Sequence, residues 1–252
     1  MIKNKNAFDK LITEAWNHEF SGWDFVFISK RMLQNECSWN YHQLVLEKFK
    51  NANSLLDMDT GGGEFLLSLQ PLPQHTFATE NYPPNVSIAK SRLEPLGVQV
   101  KDIPATGHLP FEDNFFDLII NRHGDIHPPE IYRILKTGKS FITQQVGGRN
   151  NIHLNELLQD KVEFRDSGWT MNEATRQLEA SGLRIVDSRE EYPTVEFKDI
   201  GAIVYYLKAI PWQVGDFSIK KYYDKLGSIH NIIEEKGKFE STCHRFYIEA
   251  QK

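Results

Sequence analysis

Cysteine is scarce in this chain: 252 residues hold only Cys37 and Cys243. They lie far apart, with no partner spacing for a zinc site or a redox pair, so the expectation is two reduced thiols and no bound metal. Long apolar runs are missing too, and no stretch approaches the ~20 residues needed to span a bilayer. The start, Met1-Ile2-Lys3-Asn4-Lys5-Asn6, leads into an amphipathic segment instead of an apolar core. A cytoplasmic protein with no export signal and no membrane contact is expected. Positive charge is not in excess: 29 Lys and Arg face 34 Asp and Glu, a formal net charge of −5. Without a basic run to neutralise a phosphate backbone, the composition argues against nucleic acid as a partner. The length suits one α/β domain with a cap and a substantial core.

The most informative stretch is Ser54-Leu55-Leu56-Asp57-Met58-Asp59-Thr60-Gly61-Gly62-Gly63-Glu64. A short apolar run ends in an acidic residue, three glycines follow, and a helical pattern opens at Phe65, Leu66, Leu67 and Leu69. A strand that delivers the backbone to a glycine turn and a helix start can bring main chain close to a nucleotide-type ligand. Glu80 follows a second strand-like run, His75-Thr76-Phe77-Ala78-Thr79. A strand–helix–strand unit places a ribose-binding carboxylate at that distance.

From residue 54 onward short apolar runs alternate with helical ones, as in parallel α/β architecture. Strands are expected at 54–58, 75–79, 98–103, 115–121, 140–146 and 183–188, and helices at about 63–70, 84–95, 128–136 and 171–181. Residues 6–50 read as helical cap material, with a second helix opened by Ser38. Residues 147–170 and 191–236 do not fit the alternation and are expected to be insertions over the site. In the latter, Phe197, Ile200, Ala202, Ile203, Val204, Tyr205 and Tyr206 suggest one helix, and Lys220 to Leu226 another. The alternation of residues 243–250 suggests a final edge strand. The predicted organisation is therefore an N-terminal cap over 1–50 and a ligand-binding domain over 51–252 with lid insertions near 147–170 and 191–236.

Four stretches together resemble the class I S-adenosylmethionine-dependent methyltransferases of the small-molecule type. They are Leu56 to Gly63, Thr79-Glu80-Asn81, Leu109 to Asn121, and Glu130 to Lys139. The resemblance covers about residues 38–146 and implies a Rossmann-like, doubly wound, mostly parallel seven-stranded sheet with an antiparallel edge strand and a helical cap. It implies S-adenosyl-L-methionine as cofactor. Asp57 matches the acid that ends the first strand, Gly61 and Gly63 the glycines against the cofactor, and Glu80 with Asn81 the ribose side. Asn121 matches the end of the fourth strand, which faces the methyl group and the acceptor.

Two departures stand out. Asp59 replaces the family's usual first glycine and brings a negative charge near the methionine part of the cofactor. The adenine-side acid is out of register, because Asp102 comes before the loop Ile103-Pro104-Ala105-Thr106-Gly107-His108. Adenine would then rest on backbone amides and on Ile103.

His123, after Asn121-Arg122, is the candidate catalytic residue, able as a neutral imidazole to take a proton from an acceptor, or else structural. The run His123-x-Asp125-x-His127 has no third cluster beside it, so no metal is expected. Trp23, Trp39, Tyr41, Tyr205, Tyr206 and Trp212 fall in the cap segments, as packing residues or as the wall of an acceptor pocket. The tract Lys220-Lys221-Tyr222-Tyr223-Asp224-Lys225 reads as a solvated helix face. The expected activity is methyl transfer to a small molecule. The alternatives are a non-catalytic protein that binds S-adenosylmethionine or S-adenosylhomocysteine, or an RNA methyltransferase, against which the charge argues.

Overall fold

The computed structural model describes all residues except 21–22, 105–107 and 163–165. In chain order the elements are α1 (Lys5–Asn17), β1 (Met32–Gln34), α2 (Tyr41–Phe49), β2 (Ser54–Met58), α3 (Glu64–Ser68), β3 (His75–Glu80), α4 (Pro83–Leu93), β4 (Gln99–Asp102), β5 (Phe116–Arg122) and α5 (Pro128–Ile134). They continue with β6 (Leu135–Val146), α6 (Ile152–Leu158), α7 (Met171–Ala180), β7 (Arg184–Glu191), β8 (Thr194–Phe197), α8 (Ile200–Ala209), α9 (Ile219–Lys236), β9 (Phe239–Thr242) and β10 (Arg245–Gln251). Among the described residues no helix is long and apolar enough to cross a membrane.

The chain divides into two compact units. One comprises Met1–Glu36, Gly148–Ser167 and Tyr192–His244; the other comprises Cys37–Gly147, Gly168–Glu191 and Arg245–Lys252.

The second unit is built on a seven-stranded sheet in the order β4-β3-β2-β5-β6-β10-β7. The strands from β4 to β6 pair in parallel, whereas β10 is antiparallel to both of its neighbours. The antiparallel strand thus lies one place in from the margin, which β7 occupies. The sequence suggested an edge for this last segment; Arg245 to Ala250 are instead all buried, because strands cover both sides of β10. Alternate residues of each strand feed two separate cores, as the two-residue side-chain period requires. Leu56, Phe77, Ile119 and Phe141 join Ile131 of α5 and Leu178 of α7 on one face. Leu55, Ala78, Leu118 and Ile142 join Val45 of α2, Leu66 of α3 and Leu93 of α4 on the other. The helices therefore wind over both faces. The strand order reverses between β2 and β5, and in such sheets ligands settle in the crevice at the carboxyl ends of the strands flanking the reversal.

Helix α2 begins at Asn40, not at Ser38, because the Asn40 side chain accepts the Gln43 N–H (3.1 Å). Ser38 pairs with Glu191 instead, its N–H donating over 2.9 Å. Trp39 and Tyr41 belong to this unit.

The first unit holds a three-stranded antiparallel sheet, β1-β8-β9, that the sequence did not announce. Phe197 lies in β8; the helix starts only after Asp199, whose side chain accepts the Ala202 N–H (2.9 Å). Phe8, Ile12, Tyr205, Leu226 and Ile229 share one buried core. Tyr206 is tied by its hydroxyl to Gln213 (2.9 Å), a packing role, whereas Trp23 and Trp212 meet edge to face at 5.7 Å and stay half exposed. In α9, Lys221 pairs with Asp216 and Lys225 lies 2.6 Å from Asp160, while Tyr222 turns inward.

Candidate active site

Strand β2 is buried along its whole length, and Asp57 near its end is only 2 % exposed. The Thr60 hydroxyl donates to its Oδ2 at 2.6 Å. Burial pushes the Asp57 carboxyl up to about 7; the Thr60 bond and the charge of Arg122 work against that rise, while Asp59 and Glu80 add to it.

The turn that follows depends on left-handed backbone at Asp59 (φ 54°), Gly61 (φ 64°) and Gly63 (φ 82°). Glycine takes this region without cost, and aspartate is among the few other residues that tolerate it. At Gly63 the space is closed as well, since a Cβ would stand 2.8 Å from the Leu93 side chain. Helix α3 has only five residues, shorter than its sequence pattern suggested, so the turn and not a helix terminus shapes the site.

Glu80 ends β3, 4 % exposed, and organises this turn. Its Oε2 accepts the Gly61 N–H (2.7 Å), and its Oε1 accepts those of Asn81 and Tyr82 (2.9 Å each). Three of a carboxylate's roughly four acceptor directions are thereby engaged, leaving one on Oε2. Ile103 packs partly buried on the core with Phe77, its N–H donating to the Glu80 carbonyl (3.1 Å). The rest of the expected adenine loop, residues 105–107, lies outside the described residues.

Asp59 stands across the crevice. Its Oδ2 accepts the Asp125 N–H (2.9 Å) and its Oδ1 faces the Asn81 amide nitrogen (3.4 Å). Gly124 is pressed so close that a Cβ there would lie 2.4 Å from the Asp59 Cβ. Burial lifts the Asp59 carboxyl to about 7, and the negative charges of Glu80 and Asp125 add to the rise.

Asn121 is fully buried and its amide is saturated. It donates to the Met58 and Asp125 carbonyls (3.1 and 3.3 Å) and accepts from Thr143 and Gln145 (3.1 and 2.6 Å). The Tyr41 hydroxyl donates to the Asn121 and Ile142 carbonyls (2.9 and 3.2 Å), pinning the ends of β5 and β6 together.

His123 follows in left-handed backbone (φ 65°). The Trp39 indole is a donor only, so Gln144 must turn its Oε1 to it (2.9 Å) and its amide NH₂ to His123 Nε2 (3.2 Å). That assignment leaves Nε2 as acceptor and puts the proton on Nδ1. Crowding by protein around the ring and the charges of Arg245 and Arg122 hold the imidazole well below its ordinary pKa. The residue reaches solvent, so the like charges are the firmer cause, and they act in the same direction.

The structure thus brings Asp57, Asp59, Gly61, Glu80, Asn81 and Asn121 around one crevice. Gln144, Gln145 and Thr60 were not singled out in the sequence, and Asp125 was noted only within the His123-x-Asp125-x-His127 run. The Gln144-Gln145 pair had a readable signal: two adjacent amides at the carboxyl end of β6, just after Phe141-Ile142-Thr143.

The sheet, its order reversal and the acidic crevice define a class I methyltransferase fold. Residues 56–143 match the family model described as a methyltransferase domain. Among solved structures, a Bacillus halodurans protein provisionally assigned as a methyltransferase superposes with a TM-score of 0.58 at 17 % identity, over 84 % of this chain and 96 % of that one. The YcgJ protein of Bacillus subtilis gives 0.56 at 17 %, over 84 % and 97 %. A functionally unknown protein of Deinococcus radiodurans gives 0.56 at 13 %, over 98 % of this chain and 99 % of its own. A search of curated proteins finds no match.

Proposed function

We propose that the protein is an S-adenosylmethionine-dependent methyltransferase that passes a methyl group to a small-molecule acceptor by direct displacement. The observation that carries this reading is the strand-order reversal between β2 and β5, with Glu80 on one side and the Asn121 to Asp125 segment on the other. S-adenosylmethionine would supply a methyl group on a positively charged sulfur, an electrophile that asks for alignment and exclusion of water more than for acid–base help.

The residues fit that cofactor. Glu80 keeps one acceptor direction for a ribose hydroxyl while its other three hold the turn in shape. Gly61 keeps the approach free of a side chain, Gly63 lets the turn pack against Leu93, Asn81 and Ile103 serve the adenosine side, and Asp57 and Asp59 set a negative field at the methionine end. Asn121 is a positioning residue that holds the two lips in register. His123 stands on the acceptor side; being neutral, it takes a proton at Nε2 only by giving up the Gln144 bond. A cytoplasmic setting is part of the proposal, in keeping with two widely separated cysteines.

Incubation with methyl-labelled S-adenosylmethionine and a fractionated small-molecule extract tests the activity. Label in a small-molecule product supports the reading. Cofactor binding without label in any fraction favours the non-catalytic alternative.

A further inference from the structure

Asp59 occupies an unusual place: the first residue beyond β2, at the strand-order reversal, with its carboxylate bridging the two lips of the crevice. The packing leaves it no freedom to turn away. Its backbone is left-handed, Gly124 lies against its Cβ, and Asp125 holds Oδ2. The charged groups acting on it, Glu80 at the end of β3, Asp125 after β5 and Asp57 in β2, are all acidic, and Asn81 offers only an amide. The nearby cation, Arg122, acts on Asp57. Among the described residues, this carboxylate therefore stands at the strand-order reversal with no basic side chain acting on it.

We propose that Asp59 is a specificity-determining residue that makes the site prefer the positively charged sulfonium cofactor over the neutral thioether left after methyl loss. The inference rests on the cofactor reading above. S-adenosylmethionine and S-adenosylhomocysteine share the same ammonium, carboxylate, ribose and adenine, so any repulsion between Asp59 and the shared carboxylate cancels in the ratio of their affinities. What survives is the one charge by which they differ. A unit pair several ångströms apart in a partly buried crevice is strong enough to supply about a tenfold preference. The consequence is ready release of the spent cofactor. Because burial lifts the Asp59 carboxyl to about 7, the preference should grow as the pH rises through neutrality.

The test is calorimetric titration of the whole protein with each ligand separately, at pH 6 and pH 8, for wild type, Asp59→Asn and Asp59→Gly. Asparagine keeps an acceptor for the Asp125 N–H and tolerates left-handed backbone, and glycine adopts it freely, so both variants are expected to fold. Wild type should favour S-adenosylmethionine by about tenfold at pH 8 and by less at pH 6. Both variants should lower the ratio about fivefold or more and weaken its pH dependence, the remainder coming from Asp57. A ratio unchanged in Asp59→Asn, with both ligands still bound, overturns the proposal and leaves the cofactor reading intact. Failure of wild type to bind either ligand overturns both.

Discussion

Asp59 accepts the Asp125 N–H at 2.9 Å, and this bond ties the end of β2 to the loop after β5 across the crevice where the strand order reverses. It draws a carboxylate into a pocket that already holds Asp57 and Glu80. In the ligand-free protein such crowding has a cost that pH reveals.

Asp57 and Asp59 both titrate at about 7 when folded and near 4 when unfolded. Between those values the folded chain binds more protons than the unfolded one, so stability falls as pH rises. His123 acts in the opposite sense: its depressed folded pKa lowers stability as pH drops below its unfolded value of about 6.5. Comparison of wild type with Asp59→Asn removes that shared contribution. From pH 5.5 to 7.5 wild type should lose roughly 1–2 kcal/mol more stability than the variant, as read by urea denaturation. Parallel pH profiles would refute the assignment.

Glu80→Ala removes the acceptor of three backbone N–H groups. Orphaned donors of this kind cost about 1–3 kcal/mol each when buried, and partial access to water should bring the total to about 2–4 kcal/mol. The turn should loosen and S-adenosylhomocysteine binding should vanish. Urea denaturation measures the first effect and titration the second.

The Trp39–Gln144–His123 chain fixes a tautomer. Nitrogen-detected NMR of the ring should show a neutral imidazole with its proton on Nδ1 from pH 6 to 8. Gln144→Ala removes a donor that favours the neutral form, so the His123 pKa should rise. A proton on Nε2 in wild type would contradict the hydrogen-bond assignment.

Asn121→Ala leaves Thr143 and Gln145 without their shared acceptor and the Met58 carbonyl without a donor. A loss of about 2–4 kcal/mol is expected, measurable by thermal or urea denaturation.

The sheet was legible because its signals are local: apolar runs at 54–58, 75–79 and 115–121 match β2, β3 and β5 to within a residue, and glycines mark the turn. The β1-β8-β9 sheet was not, since β1 has three residues and pairs with a strand about 160 positions away. The place of β10 was hidden for a similar reason, because alternation reports a half-buried face and not how many neighbours a strand gains. At the site, Asp57, Asp59 and Glu80 could be picked out by position along the chain. That Glu80 holds three amides could not, because backbone N–H groups carry no residue identity. The His123 tautomer likewise depends on Trp39 and Gln144, which no spacing connects.

Calorimetric titration of the purified protein with S-adenosylhomocysteine, with Glu80→Ala and a nicotinamide dinucleotide as controls, tests the central claim most directly. The account predicts binding in the micromolar range by wild type, none by the variant, and none of the dinucleotide. A folded wild-type protein that binds neither ligand, or that binds the dinucleotide instead, would contradict it.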